Sequence, residues 1–468
     1  MTTTQLPPLK GRAPAEIFAP AGERWGWAAI GLIVLIFAAS APFGFTVGIA
    51  ALTVLGFVGA LVGLLQPAVG FLSVVLLCVL DAPARGLLPE TGLFRWNTLN
   101  YWLLLVAVLA LPRLARLRDG PTLLLVLLAL LLGIEILLSD DVALGLQQLA
   151  NLLAAFGLLA YARPVATRRS VWTWAGLIGG TAGATGGLVY FLQQTDLPAM
   201  NPNAWAYMPL GGLFAICLAF SQNTEYPRRQ FFLGGLAVLN STWVFLSGSR
   251  GGLLVAVCCL AYLLAATRGL SRRAVMAVAA GLIVLTVSSF FTEFQDYALG
   301  RLTKLVNPAM SLSNRTSGRS DLMLGGFYIF QDRPFGVGTG GFETAWATLG
   351  PQEGLSGFRR GEKAPAHAGW IEILVENGVP GILLLSAFVL SFAVTAVSVR
   401  DRGTRRLGYL VTVALATAWV STEFQARSLW LLAAGTATLV RAHRFQLRGK
   451  SEQALPPDER EVADGAAP

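Results

Sequence analysis

Charge is scarce in this sequence: Asp, Glu, Lys and Arg together make up 13% of its 468 residues, against 54% hydrophobic ones. A soluble domain could not hide that much apolar surface, and the mean hydropathy of +0.61 points the same way. Cysteine is nearly absent: Cys78, Cys217, Cys258 and Cys259 all fall in apolar runs, which excludes a disulfide framework and a zinc spacing and leaves packing as their role. Only two histidines occur, His367 and His443. There is no internal repeat, no cleavable leader in the polar, proline-bearing first 24 residues, and no acidic cluster spaced for a metal. What remains is an all-α, polytopic transmembrane helical bundle.

Apolar stretches stand near 25–41, 44–65, 67–80, 98–112, 121–138, 142–162, 170–193, 206–220, 231–246, 252–267, 274–292, 368–397, 407–422 and 428–440. Most approach the ~20 residues needed to cross a bilayer, and a few are short enough to be tilted or re-entrant, so about 12–14 spans are expected. Gly179 and Gly183 form a small-xxx-small pattern that lets helices approach closely.

Every second connection is basic. Lys10, Arg12 and Arg24 precede the first span, and Arg113, Arg116, Arg118, then Arg163, Arg168, Arg169, then Arg228, Arg229, then Arg268, Arg272, Arg273 continue the alternation. Arg400, Arg402, Arg405, Arg406 and the tail Arg441, Arg444, Arg448, Lys450 complete it. By the positive-inside rule these ends and both termini are cytoplasmic. The net charge of +9 is therefore a topology signal, and no nucleic-acid partner follows from it. The expected organisation is a cytoplasmic segment 1–24, transmembrane helices over 25–292, a large external loop with short helices over 293–367, further spans over 368–440 and a cytoplasmic, disordered tail over 441–468.

Three places in and around that loop carry chemistry. In "FLSGSRGGLL", Arg250 stands where a helix begins, so its charge adds to the positive end of the helix dipole. The arrangement becomes favourable when an anion binds there, because first-turn amides and a guanidinium fork then point at one phosphate; the plain alternative is a glycine turn with an arginine reaching for lipid headgroups. In "NRTSGRSDLMLGGFYIFQDRPFGVGTGGF", Ser317 or Ser320 is expected to cap a short helix running to about Gln331, with Leu322, Phe327 and Phe330 against the membrane or a neighbour. Arg319 at its start repeats the logic of Arg250, with Arg315 beside it as a possible support; an Arg319–Asp321 surface pair is the alternative. The glycines 336, 338, 340 and 341 lack a following Gly-Lys-Ser/Thr, so they read as a tight turn holding the loop against the membrane.

The third place is "PAHAGWIEILVENGVPG". A helix beginning near residues 366–369 puts His367 at a helix N-terminus, where the dipole favours the neutral imidazole, the form that accepts a proton. A capping or interfacial histidine is the alternative. Glu372 and Glu376 lie roughly 140° and 180° around the same helix, too far round to orient the imidazole, and read as intramembrane acids facing a polar interior.

Taken in order, "SGSRGGLL", the loop with "SGR" and "DRPFGVGTGGF", and "AHAGWIEILVENGVPGILLL" resemble the O-antigen ligase and O-antigen polymerase superfamily of bacterial envelope glycosyltransferases. An Arg-x-x-x-Leu motif matches Arg250 to Leu254, and a His-[Asn/Ser/Gln]-x9-Gly-x-x-Gly motif matches His367, Gly378 and Gly381. The sequence departs from that pattern in having Ala368 after the histidine and Ile382 after the last glycine, so a polymerase of exopolysaccharide or O-antigen repeats fits as well as a ligase. The resemblance implies a multi-pass enzyme of the bacterial inner membrane with a periplasmic active face. It implies transfer of a glycan from a polyprenyl diphosphate-linked donor to a hydroxyl of a glycan or lipid-linked acceptor, with no cofactor and no metal. Arg250 and Arg319 would then bind the diphosphate and His367 would be the base. A flippase for such lipids and a protein O-glycosyl ligase are the competing readings; a flippase would be expected to show mid-membrane polar residues and inverted repeats.

Overall fold

The computed structural model describes residues 19–87, 97–110, 119–193, 202–222, 227–266, 307, 310–311, 316, 318–349, 366, 368–421 and 427–453. Among them the expectation of an all-α chain holds, with fifteen α-helices and no strand. In chain order these are α1 (Ala19–Ser40), α2 (Phe45–Val62), α3 (Pro67–Leu87), α4 (Asn97–Leu109), α5 (Gly120–Glu135), α6 (Val142–Ala162), α7 (Arg169–Gln193) and α8 (Pro202–Ser221). They continue with α9 (Pro227–Leu246), α10 (Arg250–Ala266), α11 (Arg319–Asp332), α12 (Phe342–Leu349), α13 (Gly369–Val397), α14 (Arg402–Ser421) and α15 (Arg427–Gln453).

Five of the described helical segments are long and apolar enough to cross a bilayer: Phe45–Val62, Gly120–Leu138, Val142–Val165, Arg169–Leu192 and Gly369–Val397. Arg24–Ser40, Pro67–Asp81, Leu99–Leu109, Trp205–Ser221 and Arg250–Ala266 are shorter apolar helices. The stretch at 274–292, most of the loop over 293–367, the first 18 residues and the end of the tail lie outside the described residues.

Helix α8 is the centre. From Trp205 to Gln222 nearly every residue is buried, and the helix packs against α3, α7, α9, α10 and α15. A helix apolar all round has no face for solvent, so it goes inside. The small residues of α7 permit the approach: a Cβ on Gly179 would lie 2.8 Å from the Ala215 side chain, and one on Gly183 would run into Asn240 of α9. Asn240 is fully buried and donates to the Gly180 carbonyl at 2.9 Å, tying α9 to α7 with a bond that hydrocarbon cannot compete for. Outward faces such as Leu123, Leu130, Leu383, Leu390 and Val394 stay exposed, as helices solvated by lipid tails require. The four cysteines are free and at least half-buried in the bundle, consistent with a packing role.

Candidate functional site

Serine chemistry builds the turn that carries Arg250. Helix α9 ends at Leu246, Gly248 takes φ 67°, and Ser249 stands immediately before α10. Its Oγ accepts from the Gly252 amide at 3.1 Å, the bond of an N-cap residue, while its own amide donates to Ser247 Oγ at 3.1 Å. Arg250 is thereby the first residue of α10, half-buried. Gly251 and Gly252 behind it are buried, and a Cβ on Gly252 would sit 3.0 Å from Ala206 of α8.

Arg319 occupies the same position in α11. The residue before it is Gly318 at φ 79°, so the helix starts from a left-handed residue and neither serine is its N-cap. Ser317 lies outside the described residues. Ser320 donates its amide to Thr316 Oγ1 at 3.1 Å, so the hydroxyl serving this helix start comes from Thr316. Leu322 and Ile329 carry the packing of α11, whereas Phe327 is exposed. Leu322 shares a cluster with Phe342, Trp346, Ala366, Ala368 and Ile371, which brings the start of α11 to the residues on either side of His367.

Position 368 is the N-cap of α13, with φ −150° and ψ 106°. Asn, Ser or Gln in the resembling motif would stand where a side chain can accept a first-turn amide. Ala368 makes no such bond and is 2% exposed in the apolar cluster.

The glycine run is a tight turn, and it is fitted into a break in α13. Gly378 interrupts that helix at φ 57° and ψ −150°, with Pro380 two residues on. The amides this frees and the carbonyls it exposes are taken by the loop 334–341. Val337 donates to the Val375 carbonyl at 3.0 Å, Gly338 to the Glu376 carbonyl at 2.9 Å, and Val379 to the Pro334 carbonyl at 3.0 Å. A Cβ on Gly336 would sit 2.1 Å from the Glu376 carbonyl oxygen, and one on Gly338 2.5 Å from the Ser139 amide between α5 and α6. Gly378→Ala should therefore lower stability by about 1–3 kcal/mol from backbone strain, with a further cost where its Cβ meets the Pro334 carbonyl. The check is the unfolding midpoint of purified protein against Gly235→Ala, at an exposed position of α9 with open space around the Cβ. Equal midpoints would show that the break carries no constraint.

Around this joint lies a polar network, and it accounts for Glu372 and Glu376. Both are buried in α13, and Gln148 of α6 donates Nε2 to Glu372 Oε1 at 2.9 Å and to Glu376 Oε1 at 3.3 Å. Glu376 Oε1 also accepts the Phe342 amide at 3.2 Å, holding the first residue of α12. The next residue, Asn377, donates to Glu135 of α5 and, at 2.9 Å, to Thr339 Oγ1, which itself donates to the Leu132 carbonyl at 3.0 Å. The two acids thus face a polar interior, as expected, and α5, α6, α13 and the loop are bonded into one unit. Such bonds hold a buried polar network together in a membrane interior, and Glu376 Oε2 and Asn377 Oδ1 accept no hydrogen bond among the described residues.

Glu135, Gln148, Thr339 and Asn377 were not singled out from the sequence. A second such group also stands in the bundle: Arg427, the first residue of α15 and 1% exposed, donates to the Asn151 carbonyl at 2.9 Å and to Asn151 Oδ1 at 2.6 Å, with Asn100 on the same oxygen. The available signal was an isolated polar residue inside an apolar run, as in "LLGIEILL" and "LANLLAAF". Arg250 and Arg319 stand on helices linked through a chain of packed neighbours. Helix α10 packs on α8 and α14, α14 packs on α13, and α13 on α11. Trp370 in the first turn of α13 donates to the Ala416 carbonyl of α14 at 3.0 Å, which fixes that middle step. His367 and Arg315 lie outside the described residues.

Residues 235–386 match the model of a family described as O-antigen ligase, about a third of the chain. The resemblance stated above is borne out over that segment, which contains Arg250, Arg319, the glycine loop, His367, Glu372 and Glu376. A comparison with curated proteins finds no match.

Proposed function

We propose that this multi-pass membrane protein is a glycosyltransferase of surface polysaccharide assembly, moving a glycan from a polyprenyl diphosphate-linked donor to a hydroxyl of a glycan or lipid-linked acceptor. The observation that carries the reading is the repeated device inside the matched segment: two arginines, Arg250 and Arg319, each the first residue of a helix. In the reaction the acceptor oxygen bonds to the anomeric carbon of the donor glycan as the bond from that carbon to the diphosphate oxygen breaks. The electron pair leaves with the diphosphate, and the hydroxyl proton goes to the base. The growing negative charge calls for fixed cations, which Arg250 and Arg319 supply with helix dipole behind them. His367 takes the proton, and the joined unit of loop, α12 and α13 anchors Ala368, the N-cap next to it. Glu372 and Glu376 support that unit, and Arg315 supports Arg319.

The membrane is the bacterial inner membrane, with the active face periplasmic. A cysteine at Ser311, an exposed position, in a cysteine-free background should react with an impermeant maleimide in intact spheroplasts. Labelling only after lysis would reverse the sidedness. The activity is tested by the glycans of a deletion strain. A polymerase, the reading that Ala368 favours, leaves single repeats on carrier or acceptor; a ligase leaves long carrier-linked chains. Unchanged surface glycan and unchanged carrier-linked intermediates would remove both, and carrier-linked repeats confined to the cytoplasmic leaflet would mark a flippase.

A further inference from the structure

The helices that hold the site have a second set of polar residues at their opposite ends. Helix α5 runs from Asp119, its N-cap, to Glu135 beside the glycine loop, a length of roughly 24 Å at 1.5 Å per residue. Helix α6 runs the other way, from the loop to Arg163, and α15 passes from Arg427 beside Asn151 to Arg441 beside Asp119. Between these far ends lies a cleft of about 270 Å³, lined by Arg163, Arg441, Asp119 and the hydroxyl side chains of Thr122, Thr167 and Thr438. Asp119 Oδ1 accepts from the Thr122 amide at 3.0 Å and its hydroxyl at 2.7 Å, and Oδ2 accepts from Arg441 at 3.2 Å. Two guanidinium groups against one carboxylate leave the cleft with an excess positive charge.

Thr122, Leu159 and Ala437 also line a narrow apolar slot that continues between α5, α6, α13 and α15 towards Leu125, Ala155 and Phe388. A charged, hydroxyl-bearing cleft with Leu159, Ala437 and Ala442 on its wall has the polarity profile of a phospholipid's headgroup region, and a free anion would offer that wall no apolar partner. The cleft also lies at the basic ends of the helices, where anionic headgroups concentrate at a cytoplasmic leaflet. From this juxtaposition we propose a structural lipid site, distinct from the donor site: an anionic phospholipid of the cytoplasmic leaflet, its headgroup phosphate between Arg163 and Arg441 and the start of its acyl chains against Leu159 and Ala437. The choice of leaflet rests on the sidedness proposed above; binding itself does not.

Native mass spectrometry of the full chain in detergent tests this, with phosphatidylglycerol and phosphatidylcholine of identical acyl chains as probes. Wild type should retain phosphatidylglycerol about tenfold better. Arg163→Gln with Arg441→Gln should abolish the preference, and Arg228→Gln, at an exposed arginine of α9, should keep it. Preference undiminished in the double variant, or equal retention of both lipids by wild type, overturns the site. Displacement of the lipid by millimolar inorganic phosphate reassigns it to a free anion and overturns the lipid. If the double variant does not fold, wild type alone decides: phosphatidylglycerol carrying an acyl-chain diazirine should label the peptides of Leu159 and Ala437, and labelling confined to other helices overturns the proposal.

Discussion

Alanine at Arg250 or at Arg319 should cut turnover by about 10²-fold or more while the protein still inserts, because each change removes a fixed donor from the place where charge grows. A helix start leaves four amides without intrahelical partners. At α10, Ser249 Oγ accepts the Gly252 amide, so one of these donors is capped by a neutral side chain and the helix start is fixed. Arg250 then adds a guanidinium to the positive end of that helix, and Arg319 does the same on α11. A positive side chain and a helix start repel one another, and an anion between turn and side chain reverses the sign of that term. Lysine should restore only part of the rate, because it keeps the charge and loses the bidentate fork. The measurement is single-turnover transfer from a lipid-linked donor in proteoliposomes, with donor binding measured separately. Undiminished turnover in both alanine variants would remove these residues from the site, and full activity in both lysine variants would show that a point charge suffices.

Much of the fold could be read from hydropathy, because lipid imposes helices on any long apolar run. The stretches at 44–65, 121–138, 142–162 and 170–193 correspond to α2, α5, α6 and α7. The break in α13 was hidden for the same reason: residues 368–397 are apolar on both sides of Gly378, and hydropathy does not register a left-handed φ. Its signal is local, the sequence "ENGVPG", in which a glycine precedes a proline by two positions. The partners of the buried acids were out of reach on other grounds. Asn377 bonds Glu135 across 242 positions of sequence, and Gln148 reaches Glu372 across 224. Such pairings depend on which helices neighbour one another, and periodicity carries no information on that. Arg250 and Arg319 were legible because a turn signal and a charge coincided; the start of α11 departs from the serine signal because a left-handed glycine, Gly318, is its N-cap.

Removal of the His367 imidazole should have the largest effect. The residues beside it, Ala366 and Ala368, are buried with Leu322, one turn along α11 from Arg319, and the helix that follows is tied by Gln148, Asn377 and the glycine loop to α5 and α6. In the reading proposed above His367 is the base, and general-base catalysis contributes typically about 10² to 10⁴ in rate. His367→Ala should lose that much turnover and keep donor binding. The sign of the pH dependence follows from the role: the imidazole must be neutral to accept the acceptor's proton, so wild-type rate should rise with pH as it deprotonates, and the alanine variant should lose that limb. Glu372→Gln separates this from the carboxylates, since it removes an acid from the Gln148 network while leaving the imidazole; its pH–rate profile should keep the histidine limb at a reduced plateau. If His367→Ala retains wild-type turnover with the same profile while Glu372→Gln or Glu376→Gln abolishes the limb, the proton goes to a carboxylate of α13 and the histidine is structural.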